Sequence, residues 1–281
     1  MGCGEELLLS FSSSPPPHTP SLVKGADDPS MVEQFQQSAA DARPVRTVYT
    51  NRHGGVSSGA YDSFNLGDHV GDDPRSVAAN RRRLAEIIGV DEQQVIYMEQ
   101  LHTNTVTEVD GSQHIVPATD AIVTTRSGLA LVVLTADCVP VLLSDPVHGV
   151  VAAVHAGRIG ARNGIVRRTV EAMRDLGADP ATTHALLGAA ASGALYEVPE
   201  AMARDVEAKL PGSRTTTVAG STGLDIRRGV LHQLGQLGVD NVTVNPDCTI
   251  ADENYFSYRR QGTCGRQACV TWLTGQPLQA I

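Results

Sequence analysis

The sequence is poor in aromatic residues and cysteine, and it has no long apolar run. Aromatic residues make up 4% of the 281 residues, so we expect a core built from Val, Leu, Ile and Ala. No apolar stretch approaches the roughly 20 residues that a transmembrane helix needs, which predicts that the chain does not enter a membrane. The 5 cysteines form an odd set without a repeated CxxC spacing, and this favours a reducing, cytoplasmic location over a disulfide-linked secreted framework.

Basic residues are also in deficit. The chain has 22 Lys and Arg against 31 Asp and Glu, which gives a formal net charge of −9. Nucleic acids and anionic membranes are bound mainly through basic surfaces, so this balance argues against both as partners. A local basic pocket for one phosphate is still compatible with it. No glycine-rich loop follows a dinucleotide-binding or nucleotide-binding pattern either.

Composition divides the chain near residue 43. Residues 1–43 are rich in Pro, Ser and Gln without hydrophobic periodicity, and we predict a disordered extension there, followed by a single folded domain over residues 44–281. In the second part, short valine-rich strands are often joined as hairpins and alternate irregularly with helical patterns, among them one over about residues 161–176. This organisation predicts an α/β domain with mixed or antiparallel sheets covered by helices, and it disfavours a doubly wound parallel sheet.

One hairpin places two reactive side chains at the same end. Valine-rich segments at 139–143 and 150–154 flank a turn signal, and folding them antiparallel about Val147 brings Cys138 opposite His155. Cross-strand partners have Cβ atoms roughly 4.5–5.5 Å apart. A thiol and an imidazole at this distance can share a metal or act as nucleophile and base.

A third ligand would complete a metal site. His102, which follows a short strand, is a candidate, because one Cys and two His with an open fourth position form a catalytic zinc arrangement. The hairpin argument does not reach His102, so its convergence stays open. His53 and His69, in a glycine-rich loop, are alternative ligands or substrate contacts. Asp137 could orient a ligand or move a proton, and capping a turn is an equal alternative.

The segment 255–260 combines aromatic and basic residues and ends in Arg259 and Arg260. Two adjacent arginines after aromatics suit a phosphate or carboxylate clamp. A strand whose arginines pair with surface acids explains the pattern equally well.

Six motifs occur in an order that resembles one family. They lie at residues 51–57 with 63–73, 100–102, 135–138, 154–157 and 256–260, and they read NRHGGVS with SFNLGDHVGDD, QLH, TADC, VHAG and FSYRR. In this order they resemble the YfiH-like laccase-domain or polyphenol oxidoreductase family over about residues 45–275. Members of that family are described as purine nucleoside phosphorylases and, in some bacteria, as peptidoglycan editing factors.

The resemblance implies a four-layered α/β/β/α sandwich, similar to the catalytic domain of cytotoxic necrotizing factor toxins. It implies a metal site at His102, Cys138 and His155, with zinc as the usual metal and copper as a claimed one. The implied reaction is phosphorolysis of adenosine, inosine and methylthioadenosine to the free base and a sugar 1-phosphate, with adenosine deamination as a side activity. The expected partners are a small-molecule nucleoside and phosphate, bound by a monomer or a homodimer.

The shared motifs also suggest roles for single residues. We expect Cys138, His155 and Asp137 to take part in catalysis, and we expect four further residues to contact substrate or phosphate: Arg52, Asn65, His69 and Arg259. The family usually continues VHAG with Trp-Arg-Gly, whereas this chain has Arg158, Ile159 and Gly160 there. A contact made by the usual arginine is then absent, or Arg158 supplies it from one position earlier.

Other functions draw on the same residues. A Cys–His hydrolase that removes misincorporated Ser from a UDP-muramoyl intermediate of peptidoglycan would use Cys138 as nucleophile and His155 as base. A copper polyphenol oxidase is less favoured, because multicopper centres need many histidines and none of the 9 His lies in a His-X-His pattern. A non-catalytic binding module is the remaining alternative.

Overall fold

A computed structural model describes residues 44–274 and the backbone of two short strands before them. The strands of this part of the chain are β1 (Leu22–Lys24), β2 (Met31–Gln36), β3 (Val45–Thr50), β4 (Val95–Met98), β5 (Val106–Glu108), β6 (Ile115–Val116), β7 (Ala121–Thr124), β8 (Ala130–Thr135), β9 (Val139–Asp145), β10 (Val150–Ala156), β11 (His184–Leu187), β12 (Arg214–Thr216), β13 (Thr222–Leu224), β14 (Asn241–Val244) and β15 (Gln267–Leu273). The α-helices are α1 (Pro74–Ile88), α2 (Arg158–Arg162), α3 (Ile165–Asp175), α4 (Glu200–Glu207), α5 (Ile226–Gln236) and α6 (Tyr258–Gln261).

Two mixed sheets form the framework. The first has the order β1-β2-β3-β15-β8-β4-β6 and the second β14-β11-β9-β10-β7-β5, while β12 and β13 form a separate pair. Antiparallel neighbours dominate, and the parallel pairs are β4 with β6, β4 with β8, β5 with β7, and β11 with β14. This arrangement confirms the prediction of mixed sheets.

Side chains of the central strands alternate between two apolar layers. On β8, Leu131 packs between the sheets with residues of the second sheet such as Leu142, whereas Val132 points the other way and packs with Leu84 of α1. The opposite face of the second sheet packs on α3 and α5 in a third cluster. Strands buried on both faces read as nearly continuous apolar runs, as these do. The layer order is helix, sheet, sheet, helix, which confirms the four-layered α/β/β/α sandwich; the similarity to a toxin domain stays a prediction.

The cap signals of α1 are used as the sequence indicates. The Asp73 side chain accepts a hydrogen bond from the amide of Arg75, Pro74 occupies the first turn, and Gly89 ends the helix in the left-handed conformation with φ 67°. These are the residue types that satisfy the unpaired amides and carbonyls of helix ends.

The helix predicted over residues 161–176 is in fact two helices. α2 ends at Arg162 and α3 begins at Ile165, with Gly164 between them at φ 85°. An α-helix cannot pass through a residue in the left-handed conformation, which glycine adopts at little cost. The apolar spacing of α3 indicated the buried face correctly but could not show this break.

The register of the β9–β10 hairpin differs from the expected one by two residues. Asp145 pairs with Val150, so the turn comprises residues 146–149 and its midpoint lies between Val147 and His148. His155 therefore faces Pro140, and Cys138 lies one residue before β9. Cys138 and His155 are diagonal neighbours across the hairpin, and long side chains still reach each other at that spacing.

Most of the predicted disordered extension over residues 1–43 lies outside the described residues. Two segments within it, β1 and β2, are strands that extend the first sheet beyond β3. Among the described residues, no helix is long and apolar enough to cross a membrane.

Candidate metal centre and its pocket

The hairpin end brings Cys138 and His155 together at the edge of the second sheet. His155 lies on β10 and is 3% exposed, and Cys138, just before β9, is half-buried. Asp137 precedes the cysteine with φ 97°, a left-handed conformation that is uncommon for a residue other than glycine. The structure thus turns the chain sharply immediately before the thiol.

His102 reaches the same point from a loop that follows β4. Its backbone also has a positive φ, 60°, and its amide donates a hydrogen bond of 2.9 Å to Asp120 Oδ1. The imidazole is turned toward the hairpin end, where the rings of His102 and His155 lie 4.7 Å apart at an interplanar angle of 76°. The convergence that the sequence leaves open is therefore observed.

The three side chains fit a tetrahedral metal. Cys138 Sγ lies 3.7 Å from His102 Nε2, and the ligand atoms of His102, Cys138 and His155 all lie within 4.8 Å of one another. Zinc bonds of about 2.3 Å to sulfur and 2.0–2.1 Å to nitrogen separate tetrahedral ligands by roughly 3.3–3.6 Å. One thiolate and two imidazoles are also the donor types that zinc prefers. The cluster can hold one metal ion with a position left open toward the pocket.

Electrostatics at the cluster favour an ionised thiol. Burial opposes ionisation of Cys138, but the charge of His155 and hydrogen bonds from both histidines outweigh it and lower the pKa of the thiol to about 6. Burial also opposes protonation of His155, but the charge of Cys138 and the hydrogen bond to Asp120 raise the pKa of the imidazole to about 9. A thiolate is the form of cysteine that binds metals and attacks electrophiles.

Gly157 packs directly against the side chains of His102 and Cys138. A Cβ at this position would lie 2.6 Å from His102 Cδ2 and 3.1 Å from Cys138 Sγ, and both distances are shorter than an ordinary van der Waals contact. The backbone there, with φ −68° and ψ 163°, is accessible to any residue. Glycine is required at this point for space and not for backbone conformation.

A cavity of about 560 Å³ opens in front of the three ligands. This volume lies in the usual range for small-molecule sites, roughly 300–1,000 Å³. Its wall includes the rings of Tyr196 and Tyr258, which offer aromatic surface to a planar ligand. His69 also lines it, so of the two loop histidines this one is brought to the site, whereas His53 bonds to Asn254 Oδ1 elsewhere.

Three arginines line the cavity without a carboxylate partner among the described residues: Arg158, Arg259 and Arg266. The guanidinium of Arg259 donates to the carbonyl of Glu197 and lies 5.0 Å from the centre of the Tyr196 ring. Arg266 donates to the carbonyls of Cys264 and Gly265. Neutral acceptors do not neutralise these guanidinium groups, and the cavity is lined by three arginines against one carboxylate, that of Asp137. The excess of positive charge suits an anion.

Asp137 positions one of these arginines. Its carboxylate accepts hydrogen bonds of 2.6 Å from the hydroxyl of Thr249 and from the backbone amide of Arg259. The segment around Arg259 is helical, since α6 begins after Ser257, whose hydroxyl accepts from the amide of Arg260. The strand considered for residues 255–260 is therefore wrong, and only the first of the two arginines reaches the cavity.

Two predicted contact residues lie away from the cavity. Asn65 has no exposed surface, and its amide group bonds to Gly67, Asp72 and the backbone amide of Arg266. Arg52 donates to the carbonyl of Asp62 and lies over the Phe256 ring at 4.7 Å. The structure does not bring either side chain to the pocket lining. Asn65 instead accepts a hydrogen bond from the backbone amide of Arg266, which does line the pocket.

Sequence reasoning missed Asp120, Gly157 and Arg266. Asp120 directly precedes β7, and an isolated acid before a buried strand is an ordinary turn signal. Gly157 lies within the VHAG motif, but no sequence pattern indicates that the side chains of His102 and Cys138 occupy the space where a Cβ would lie. Arg266 follows the double arginine motif and becomes significant only when β15 places it at the cavity.

Comparison with known proteins gives a consistent result. Residues 46–274 match the family model described as multi-copper polyphenol oxidoreductase laccase. A Corynebacterium glutamicum protein named purine nucleoside phosphorylase is 65% identical over 234 residues, which cover 82% of this chain and 95% of the relative.

Solved structures agree with the fold. A Neisseria meningitidis protein superposes with a TM-score of 0.75 at 34% identity, covering 86% of this chain and 99% of the other. The Bacillus licheniformis protein YfiH superposes with a TM-score of 0.77 at 28% identity, covering 85% of this chain and 99% of the other.

Proposed function

This chain belongs to the multi-copper polyphenol oxidoreductase laccase family, and on that basis we propose that it is a metal-dependent purine nucleoside phosphorylase. The observation that carries the proposal is the combination of a His-Cys-His cluster with three arginines that line the same cavity and have no carboxylate ion pair within the described part of the chain. A neutral nucleoside and an anionic phosphate are the two substrates such a pocket suits. The 65% identical relative that is named purine nucleoside phosphorylase supports the same activity.

Different residues of the cavity wall bind the two substrates. Tyr196 and Tyr258 offer stacking surface for the purine, and Arg158, Arg259 and Arg266 hold the phosphate through charge-assisted hydrogen bonds. Asp137 fixes the backbone of Arg259 and so the origin of that side chain. His69 lines the same wall and is placed to contact phosphate or ribose.

In the reaction, a phosphate oxygen forms a bond to C1′ of the ribose while the bond from C1′ to the purine nitrogen breaks. The products are ribose 1-phosphate and the purine, which leaves with the bonding electrons and takes up a proton. The arginines hold the phosphate against the sugar and restrict its translation and rotation. Fixing two reactants in this way accounts for much of the rate increase of an enzymatic reaction over the same reaction in water.

We assign zinc to His102, Cys138 and His155, with copper as the alternative. When bound, the metal would supply Lewis-acid stabilisation of charge that develops on an oxygen or on the leaving group. A side activity follows from the same centre, because a metal beside a purine pocket also suits hydrolytic deamination of adenosine to inosine. A copper polyphenol oxidase is disfavoured, since the described residues offer one cluster of three ligands.

The test is release of adenine from adenosine by the purified protein with and without inorganic phosphate. The proposal expects adenine and ribose 1-phosphate in equal amounts, only when phosphate is present, and expects Cys138→Ser to abolish both. Formation of free ribose, or of no adenine at all, would contradict it. Inosine formed without phosphate reports the deaminase activity separately.

A Cys–His hydrolase is the second candidate, because Cys138 and His155 form a polarised pair near the cavity. Here the thiolate would attack an amide or ester carbonyl of a seryl-substituted muramoyl precursor, and the imidazolium would protonate the leaving group. Metal-free protein distinguishes the two functions. The hydrolase would be active after chelation and inhibited by zinc, whereas the phosphorylase would show the reverse.

A further inference from the structure

A single buried carboxylate connects the two histidines of the cluster. Asp120 has no exposed surface and lies immediately before β7. Its Oδ1 accepts from the amide of His102 at 2.9 Å and lies 2.8 Å from His155 Nδ1. Its Oδ2 accepts from the amides of Leu101 and Thr103 and from the Thr103 hydroxyl, at 3.1, 2.7 and 2.8 Å.

These contacts act on each histidine in a different way. For His102 they hold the backbone, because three consecutive amides converge on the carboxylate while His102 has φ 60°. A left-handed conformation at a residue other than glycine costs roughly 1–3 kcal/mol and persists only when its surroundings enforce it. For His155 they hold the ring, because Nδ1 is bound to the carboxylate and Nε2 is the nitrogen that remains for the cluster.

We propose that Asp120 is the positioning residue of the metal centre: it sets the backbone of His102 and the ring tautomer of His155, and so gives the site its metal affinity. The proposal rests on the metal centre of the proposed function. A carboxylate that accepts from Nδ1–H keeps the proton on that nitrogen and leaves the Nε2 lone pair for the metal. It also makes the imidazole a more basic ligand.

Asp120→Asn separates this role from simple packing, because Asn has nearly the same shape and can accept on one side only. If its oxygen keeps the amides of Leu101 and Thr103, its NH₂ group replaces Oδ1, so the His102 amide loses its acceptor and His155 Nδ1 must accept. The neutral ring must then carry its proton on Nε2, where the metal would bind. Loss of such a supporting contact lowers metal affinity by about 10–100-fold.

The chain provides a matched control in Asp145, at the other end of the same hairpin. This carboxylate also has no exposed surface and accepts from the amides of Val147, His148 and Asp179, from the Thr182 hydroxyl and from the His148 ring. Asp145→Asn therefore removes a similar buried network without touching the cluster. A general loss of stability would affect both variants alike.

The experiment measures zinc affinity of the full chain by competition with a chelator for wild type, Asp120→Asn and Asp145→Asn. We expect the zinc dissociation constant to rise about 10–100-fold in Asp120→Asn and to stay close to the wild-type value in Asp145→Asn. Equal zinc affinity in all three proteins, or an equal loss in both variants, would overturn the proposal.

A second measurement keeps the proposal testable if Asp120→Asn does not fold. In zinc-loaded wild type carrying ¹⁵N-labelled histidine, NMR should show His155 with zinc on Nε2 and a slowly exchanging proton on Nδ1. Zinc on Nδ1, or a rapidly exchanging Nδ1 proton, would overturn it. Zinc binding without phosphorolysis would instead contradict the proposed function and leave the role of Asp120 intact.

Discussion

At the scale of single residues, Arg158 shows how a departure from a motif can preserve a charge. The resemblance places the usual arginine of the family one position later, where this chain has Ile159. The structure places Arg158 in the cavity wall, while Ile159 is 44% exposed. Because α2 begins at Arg158, a shift of one residue rotates the side chain by about 100° around the helix axis. The residue that lines the pocket is therefore the one that carries the charge.

Arg158→Gln should raise the KM for phosphate by about 10–100-fold, since a hydrogen bond to a charged group contributes about 1.5–3 kcal/mol. The KM for the nucleoside should change much less, because the proposed purine contacts are made by Tyr196 and Tyr258 and not by Arg158. Steady-state kinetics with each substrate varied in turn measure both constants. Arg168→Gln, on the exposed face of α3, serves as the control and should leave both unchanged. A parallel rise in both constants for Arg158→Gln would argue against a phosphate contact.

Gly157→Ala should lower the zinc content of the purified protein, because its methyl group would occupy the space of His102 Cδ2 and Cys138 Sγ. The backbone angles at this position suit alanine, so the effect is steric and local. The control is Gly235→Ala in α5, where a Cβ meets no atom within 4 Å and alanine should stabilise the helix by up to about 1 kcal/mol. Zinc analysis that finds full occupancy in Gly157→Ala would show that the ligands lie elsewhere.

At the scale of elements, the β9–β10 hairpin has the candidate metal site at one end and a buried hydrogen-bond network around Asp145 at the other. The carboxylate of Asp145 is hydrogen-bonded to the ring of His148 in the turn. It also accepts from the Asp179 amide and the Thr182 hydroxyl, which lie in the loop before β11. Burial opposes its ionisation, but the amide of Asp179 and the His148 ring outweigh it, so the pKa of Asp145 is lowered in the folded protein. His148 itself is partly exposed, as expected for a turn residue, but it is bonded to this acid.

The lowered pKa gives Asp145 a defined effect on stability against pH. An acid with a lower pKa in the folded state stabilises the fold above its unfolded pKa of about 3.9, and this contribution is lost as pH falls through the folded value. Asp145→Asn should therefore reduce the free energy of unfolding by about 1.5–3 kcal/mol at neutral pH. The difference from wild type should shrink below about pH 4. Urea unfolding from pH 3 to pH 7 measures it, and a difference that does not depend on pH would contradict the assignment.

The elements themselves were largely predictable from local sequence. The bounds of β3, β4 and β7 and the caps of α1 follow from valine-rich runs, Asp73, Pro74 and Gly89. The hairpin register was wrong by two residues, because a turn signal of five residues permits several turn geometries and the apolar pattern of a strand buried on both faces does not fix the register.

At the scale of the whole molecule, the sheet order and the supporting shell of the site could not be predicted. β15 lies between β3 and β8, a pairing across most of the chain that depends on tertiary packing and not on local pattern. Asp120 and Gly157 acquire their roles only when the two sheets stack and the loop after β4 meets the hairpin end. The cluster of His102, Cys138 and His155 was predictable because the motifs that carry these residues are specific, whereas the side chains of Arg52 and Asn65 make contacts away from the pocket lining.

The charge of the molecule also acts at this scale. The whole chain is acidic, with a formal net charge of −9, whereas the cavity contains three arginines and one carboxylate, that of Asp137. Long-range repulsion of phosphate by the acidic surface is screened at physiological salt, where the Debye length is about 8 Å. On the proposed function, binding of phosphate would therefore depend on the local arrangement of the arginines and not on the net charge of the chain.

Zinc stoichiometry tests the central claim most directly, namely that His102, Cys138 and His155 form one metal site. Metal-free full chain is titrated with zinc by calorimetry beside Cys138→Ser. The account predicts one tightly bound zinc per chain in the wild type and loss of that binding in the variant, because the thiolate would be one of the three ligands that the described residues offer. No zinc binding by the wild type, or equal binding by Cys138→Ser, would contradict it.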